Sequence, residues 1–180
     1  MDSRSSELRQ AAEAFGVTLA AETAEKLVRL TELVLAANVR IRLTSITAWD
    51  EVLAKHLLDS LAPLALGVCP APGQQTADLG SGGGFPGLVL AAALPDLPFT
   101  LIEATRKKAD FLAETAAALT LANVRVWPRR AEEAGLDEGR QTFDLVLARA
   151  VADLPVLVEL AHPILKVGGA LLAWKGPEGG

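Results

Sequence analysis

Asp78 and Glu103 bracket the part of the chain richest in glycine, and acids placed around such a stretch suit a nucleotide-like ligand. The stretch reads Ala77-Asp78-Leu79-Gly80-Ser81-Gly82-Gly83-Gly84-Phe85-Pro86-Gly87-Leu88, with five glycines between positions 80 and 87. Glycine lets a backbone take φ > 0 and come close to a ligand. A helix beginning just beyond it leaves free N–H groups pointing at acceptors. Further on, Arg149 closes an apolar run, where a guanidinium can hold a carboxylate or phosphate bidentately. His56 and Asp59 stand at i, i+3, so a shared helix would let them hydrogen-bond to each other. His56 has three competing roles: contact with a substrate, a cover over the ligand, or helix packing. The two histidines, His56 and His162, are far apart and the single cysteine is Cys69, so neither a metal site nor a disulfide is expected.

These residues need elements to position them. From about residue 75 the chain alternates strand and helix: strand 75–79, helix 86–94, strand 99–103, helix 106–119, strand 124–127, strand 143–147, helix 153–165 and strand 170–174. Gly168-Gly169 is the expected turn into the last strand. Short apolar strands separated by helices predict a parallel sheet buried on both faces. Right-handed crossovers then make it an open, doubly wound, Rossmann-like α/β sheet. Ligands of such sheets sit beyond the carboxyl ends of the strands, where the glycine turn, Glu103, the segment 129–132 and Arg149 converge. Before the sheet, apolar periodicity predicts helices over 5–15 and 18–37, the second capped by Thr18 and ending near Asn38. A polar arm follows over 40–46. Thr47 caps a third helix that bends or ends near Pro63. Residues 67–73, rich in Gly and Pro, read as a linker. The expected division is a helical extension over 1–73 and a sheet domain over 74–180.

Two ligand patterns overlap in the glycine stretch. Gly82-x-Gly84-x-x-Gly87, with Glu103 about 20 residues on, fits a dinucleotide. Asp78-x-Gly80-x-Gly82-x-Gly84 fits the S-adenosylmethionine (SAM) loop of class I methyltransferases. Asp78 would repel a pyrophosphate and attract the ammonium and sulfonium of SAM. Glu103 can accept both ribose hydroxyls of either cofactor.

The motifs Asp78 to Leu88, His56-Leu57-Leu58-Asp59-Ser60, Arg106-Lys107-Lys108, Arg130-Ala131-Glu132, Phe143-Asp144, Ala148-Arg149-Ala150 and Lys175-Gly176 occur together and in order. From about Ala36 to Gly176 the chain resembles the RsmG family, also called glucose-inhibited division protein B, bacterial 16S rRNA guanine-N7 methyltransferases. The resemblance implies SAM as cofactor, S-adenosyl-L-homocysteine as product and the small ribosomal subunit as partner. It implies that Gly80 and Phe85 line the cofactor pocket, that Glu103 holds the ribose, that Ala131 and Glu132 contact the adenine, and that Arg149 sits near the methionyl end. Family members continue past Lys-Gly with a helix and two antiparallel strands. The resemblance therefore implies an incomplete sheet with the last strand at an open edge. Guanine N7 carries a lone pair and no proton, so the implied transfer needs no general base and Arg149 is read as a positioning residue. Alternatives remain: a class I methyltransferase with another substrate, a non-catalytic SAM- or RNA-binding module, and an NAD-binding protein.

Composition bounds these readings. The 180 residues carry a formal net charge of −5 and are 51% hydrophobic. An acidic chain needs a local cationic patch to hold RNA, and the candidates are Arg40, Arg42, Arg106, Lys107, Lys108, Arg129 and Lys175, with Arg130 beside them. The trio 106–108 stands at a helix N-terminus, where the helix dipole disfavours cations. No DNA partner is expected. No apolar run of about 18 residues exists and the N-terminus lacks an apolar signal core, so the expectation is a cytoplasmic protein without a membrane partner.

Overall fold

The alternation beyond residue 75 folds as one parallel sheet. In the computed structural model, which describes residues 3–175, the strands are β1 (Thr76–Leu79), β2 (Phe99–Ile102), β3 (Val124–Trp127), β4 (Phe143–Arg149) and β5 (Leu165–Trp174). Their order is β3-β2-β1-β4-β5, and every neighbouring pair is parallel. The order reverses between β1 and β4, so the connections leaving their carboxyl ends part and open a crevice.

Side-chain alternation along the strands builds a core on each face. Leu145 and Leu147 of β4 join Leu90, Ala91 and Phe99. Val146 and Ala148 join Ala77, Leu79, Leu157 and Ala161 on the other side. The first face is covered by α4 (Gly87–Ala93) and α5 (Arg106–Ala118), the second by α6 (Ala131–Ala134) and α7 (Leu154–Ala161). Most strand and helix centres fall where the sequence puts them. The exception is β5, which begins at Leu165 and not at Ala170. Gly168 and Gly169 lie inside it, where its register against β4 shifts, as glycines at an irregularity in a strand often do. α7 stops at Ala161, short of the expected 165. The single-turn α6 is too short to leave a periodic signal.

The N-terminal helices are α1 (Ser3–Ala14), α2 (Ala21–Ile41) and α3, a continuous helix over 49–65 whose middle, Leu53–Leu58, is a wider π turn. Three expectations fail here. Thr18 donates to Glu13 at 3.1 Å, leaving Ala20 as the residue before α2. Ala48, not Thr47, precedes α3. α2 runs past Asn38 to Ile41, so Arg40 is helical and not part of an arm. Asn38 instead folds the following segment back. Its Oδ1 accepts from Leu43 N–H (2.6 Å) and Thr44 N–H (2.9 Å), while its Nδ2 donates to Thr44 O (2.8 Å).

Pro63 lies inside α3 without ending it. Having no N–H, it leaves Asp59 O without its helical donor. The π turn does the same for Lys55 O, because Asp59 N–H bonds to Ala54 O. Both released carbonyls are taken by the sheet: Arg149 Nη2 donates to Lys55 O (2.5 Å) and Trp174 Nε1 donates to Asp59 O (3.0 Å). Helices and sheet also share one apolar cluster, in which Leu8, Leu27, Leu30, Leu57 and Leu61 meet Leu88, Val89, Leu101 and Leu112. Among the described residues β5 is an edge strand, and no helix is long and apolar enough to cross a membrane. Gly176 of the Lys-Gly motif lies outside the described residues.

Candidate functional site

The glycine turn leaves β1 and folds over the end of β2. Gly80 N–H and Ser81 N–H donate to Ile102 O (2.8 and 3.3 Å), and Gly84 N–H donates to Ser81 O (2.7 Å). Glu103, the next residue after β2, ties the turn to the start of α5. Its Oε2 accepts from Gly82 N–H (3.0 Å) and its Oε1 from Thr105 N–H (2.7 Å). A carboxylate has about four acceptor positions, so each oxygen of Glu103 keeps capacity for one more donor. Gly82 has φ +54°, and a Cβ there would find only Gly80 O, at 3.7 Å. The turn is therefore open beside Gly82. At Gly80 a Cβ would lie 2.9 Å from Val151 Cγ2, so the loop after β4 packs on the turn. An open cradle beside a carboxylate with spare acceptor capacity fits a nucleoside bearing vicinal hydroxyls.

Asp78 is not where the charge argument put it. Strand alternation turns its side chain towards α4, away from the crevice. The residue is 1% exposed and its Oδ2 accepts from Gly87 N–H at 3.2 Å. A Cβ at Gly87 would collide with Asp78 Oδ2 and Leu101, so glycine lets α4 start close against Asp78. Burial pushes the Asp78 carboxyl up to about 7, against the pull of hydrogen bonds from Ser81 and Gly87. A group this sealed cannot touch a ligand directly. Its contact is with the base of the turn, and it replaces the expected contact with a cationic cofactor.

Arg149, at the end of β4, is the hub of a second cluster. His56 and Asp59 do not bond to each other, as their spacing suggested, but meet through Arg149. Arg149 Nη1 lies 3.1 Å from Asp59 Oδ2, although it is buried without an aligned acceptor. Arg149 Nη2 contacts His56 Nδ1 at 3.3 Å, and His56 Nε2 lies 2.7 Å from Thr44 Oγ1. The imidazole stacks on Phe85 of the glycine turn, with centroids 4.4 Å apart and planes 9° from parallel. Burial, with the Arg149 charge second, lowers the His56 pKa to about 4, so the ring is neutral at pH 7. A neutral, buried histidine does not attract an RNA phosphate by charge, and the contacts on the page are those of packing and of a cover over the turn. The guanidinium is likewise engaged by α3.

The remaining candidates divide. Ala131 is half-buried against the sheet and Glu132 is exposed, both on α6 after β3. Arg40, Arg42 and Lys107 are exposed and Lys108 half-buried, and none of the four forms an ion pair among the described residues. Arg40 and Lys107 share a groove of about 360 Å³ with Asp110, Phe111 and Glu114. Arg106 is paired with Asp110 (2.8 Å). Arg129 is held by Asp137 (2.7 Å) and Glu138 (3.1 Å) and lies over Trp127, so its charge is already neutralised. Lys175 donates to Ala152 O (2.5 Å). Residue types and spacing do not by themselves place Thr44, Leu43 or Val151 at the site. Only the polarity of the segment around Thr44 hinted at it, and a released carbonyl such as Lys55 O leaves no mark in residue types.

A family model described as rRNA small subunit methyltransferase G matches residues 23–179, beginning well before Ala36. The chain is 45% identical over 171 residues to the ribosomal RNA small subunit methyltransferase G of Deinococcus radiodurans, covering 94% of this chain and 67% of that protein. To the protein of the same name from Sorangium cellulosum it is 48% identical over 163 residues, 91% of this chain and 68% of the relative. It thus spans about two thirds of these relatives. Among solved structures, a putative O-methyltransferase from Klebsiella pneumoniae superposes with a TM-score of 0.59 at 19% identity, over 82% of this chain and 64% of that one. The YcgJ protein from Bacillus subtilis does so with 0.53 at 22% identity, over 64% and 49%. At such identities the two structures establish a shared fold.

Proposed function

The chain belongs to the rRNA small subunit methyltransferase G family, and on that premise we propose that it methylates N7 of a guanine in the 16S rRNA of the small ribosomal subunit, with SAM as the methyl source. The observation that carries this reading is the pairing of Glu103 with Gly82 N–H at the point where the sheet order reverses. It leaves a carboxylate with free acceptor capacity beside an open backbone cradle. When bound, SAM supplies an electrophilic methyl carbon whose bond to sulfur breaks as the N7 lone pair forms the new bond.

The chain's own groups bind and align. Glu103 would accept the ribose hydroxyls, and the backbone from Gly80 to Gly84 would cradle the nucleoside. Phe85, Ala131 and Glu132 would border it, with Glu132 and the α6 backbone reaching the base. Arg149 acts through α3, fixing the helix that backs Phe85. No residue need take a proton, so the rate comes from proximity and alignment, which supply roughly 7–11 kcal/mol in favourable cases. Arg40, Arg42, Lys107 and Lys108 are the cations left to meet phosphate, with Arg106 and Lys175 beside them and Arg129 the weakest of the set. Such contacts position the RNA without reading its sequence. The residues before 74 then act as the extension that carries Arg40 and Arg42 to the sheet.

The test is transfer of labelled methyl from SAM to small subunits lacking the modification. Label in the guanine of 16S rRNA is the expected outcome. SAM that binds without any methyl reaching RNA would overturn the catalytic reading, and label in another acceptor would overturn the substrate.

A further inference from the structure

Thr44 and His56 belong to the helical extension, yet they end a hydrogen-bond chain that reaches the end of β4, and the His56 ring stacks on the glycine turn. Asn38 fixes the backbone of Thr44 on both sides. Thr44 Oγ1 accepts from Ile46 N–H at 3.0 Å and faces His56 Nε2 at 2.7 Å. The other ring nitrogen faces Arg149 Nη2 at 3.3 Å, and the ring plane lies on Phe85. Leu43, next in the chain, packs against Gly83 of the turn.

Donor chemistry favours one arrangement. A guanidinium has only N–H donors, so the Arg149 contact is satisfied with Nδ1 bare, in competition with the Lys55 carbonyl, which draws a ring proton. The ring proton is then on Nε2, and Thr44 Oγ1 must accept it. A hydroxyl has two acceptor positions, enough for Ile46 N–H and Nε2–H together. Were the proton on Nδ1, it would oppose an Arg149 N–H, and Thr44 would have to turn its own proton towards Nε2. The orientation of one threonine hydroxyl and the seat of one guanidinium are thus the same choice.

Resting on the cofactor reading above, we propose that Thr44 and His56 are positioning residues of the cofactor site. Thr44 accepts from Nε2–H and so holds the imidazole in the tautomer that the Arg149 guanidinium also requires, and the imidazole in that state seats the guanidinium and braces the Phe85 ring at the edge of the glycine turn.

The test combines nitrogen NMR of labelled histidine with calorimetric SAM titration, on the 180-residue chain and its variants Thr44→Val, Thr44→Ser and His56→Phe. In the unsubstituted chain His56 shows a bare Nδ1 and a protonated Nε2, and exposed His162 serves as internal control. Thr44→Val, which keeps shape but loses the hydroxyl, mixes the tautomers and weakens SAM binding about tenfold, the scale of one lost hydrogen bond. Thr44→Ser restores both. His56→Phe keeps a ring on Phe85 and weakens binding by a similar factor. An unchanged tautomer and affinity in Thr44→Val overturn the proposal, as does a fall in melting temperature with affinity intact. A parent chain that binds no SAM sinks the cofactor reading instead, and the tautomer readout, which needs no cofactor, still decides whether Thr44 fixes the ring.

Discussion

Glu103 holds two backbone N–H groups before any ligand arrives, so its substitution acts on both the turn and the ligand. Glu103→Ala is expected to weaken SAM binding by about 1–3 kcal/mol and to lower the melting temperature as well. Calorimetry showing unchanged affinity would remove Glu103 from the site. At Gly82 a β-branched residue meets φ +54°, a conformation costing roughly 1–2 kcal/mol, and its side chain fills the open side of the turn. Gly82→Val should leave a folded chain that no longer binds SAM, read by circular dichroism beside the same titration.

Two buried titratable groups give opposite pH dependences. His56 falls from 6.5 to about 4 on folding, so the unfolded chain binds more protons between those values. Its contribution is complete above 6.5 and is lost as pH falls towards 4. Asp78 rises from 3.8 to about 7, so its contribution is complete below 3.8 and is lost as pH rises through 7. Each changes stability by at most about 1.4 kcal/mol per pH unit, and in the shared window they oppose each other. Asp78→Asn keeps an acceptor for Gly87 N–H and removes one of the two. Its urea midpoint is expected to climb more steeply from pH 4.5 to 6.5 than that of the parent chain (the window being about that of the two pKa shifts). Parallel curves would show that Asp78 does not titrate there.

At the scale of elements, the first turn of α5 gathers Arg106, Lys107 and Lys108 against the dipole preference. Arg106 has a local partner in Asp110, so Lys107 and Lys108 are the cations available to phosphate. Reversing both to glutamate should weaken RNA binding and flatten its salt dependence, while SAM affinity stays within twofold (about 0.4 kcal/mol). A joint loss would make the patch structural. α3 shows why helix-level reading goes only so far. Pro63 is visible in the sequence as a helix breaker, but here it frees Asp59 O for the Trp174 indole. The π turn, which no residue pattern announces, frees Lys55 O for Arg149. The spacing of His56 and Asp59 was legible. The guanidinium that joins them comes from about ninety residues further along.

Over the whole molecule, the helical extension and the sheet share one apolar cluster, so the linker at 67–73 separates topologies and not cores. A chain beginning at residue 74 would expose Leu88, Val89, Phe111 and Leu112, and it is expected to lose cooperative unfolding and to bind a hydrophobic dye. A sharp melting transition in that fragment would contradict this. The sequence by itself determined the parallel sheet, the glycine turn and the neighbourhood of Glu103, because strand alternation, glycine and the ends of short apolar runs are local properties of the chain. Tertiary structure alone decided where side chains point and who partners whom. Asp78 is one residue from a correct placement in the crevice, yet strand alternation sends it beneath α4 to Gly87. Arg129 looks like a free cation until Asp137 and Glu138 close on it. Arg149 looks like a ligand clamp until α3 offers it a carbonyl, an imidazole and a carboxylate. Charge and residue type are written in the sequence, whereas burial and pairing depend on contacts between segments distant in the chain.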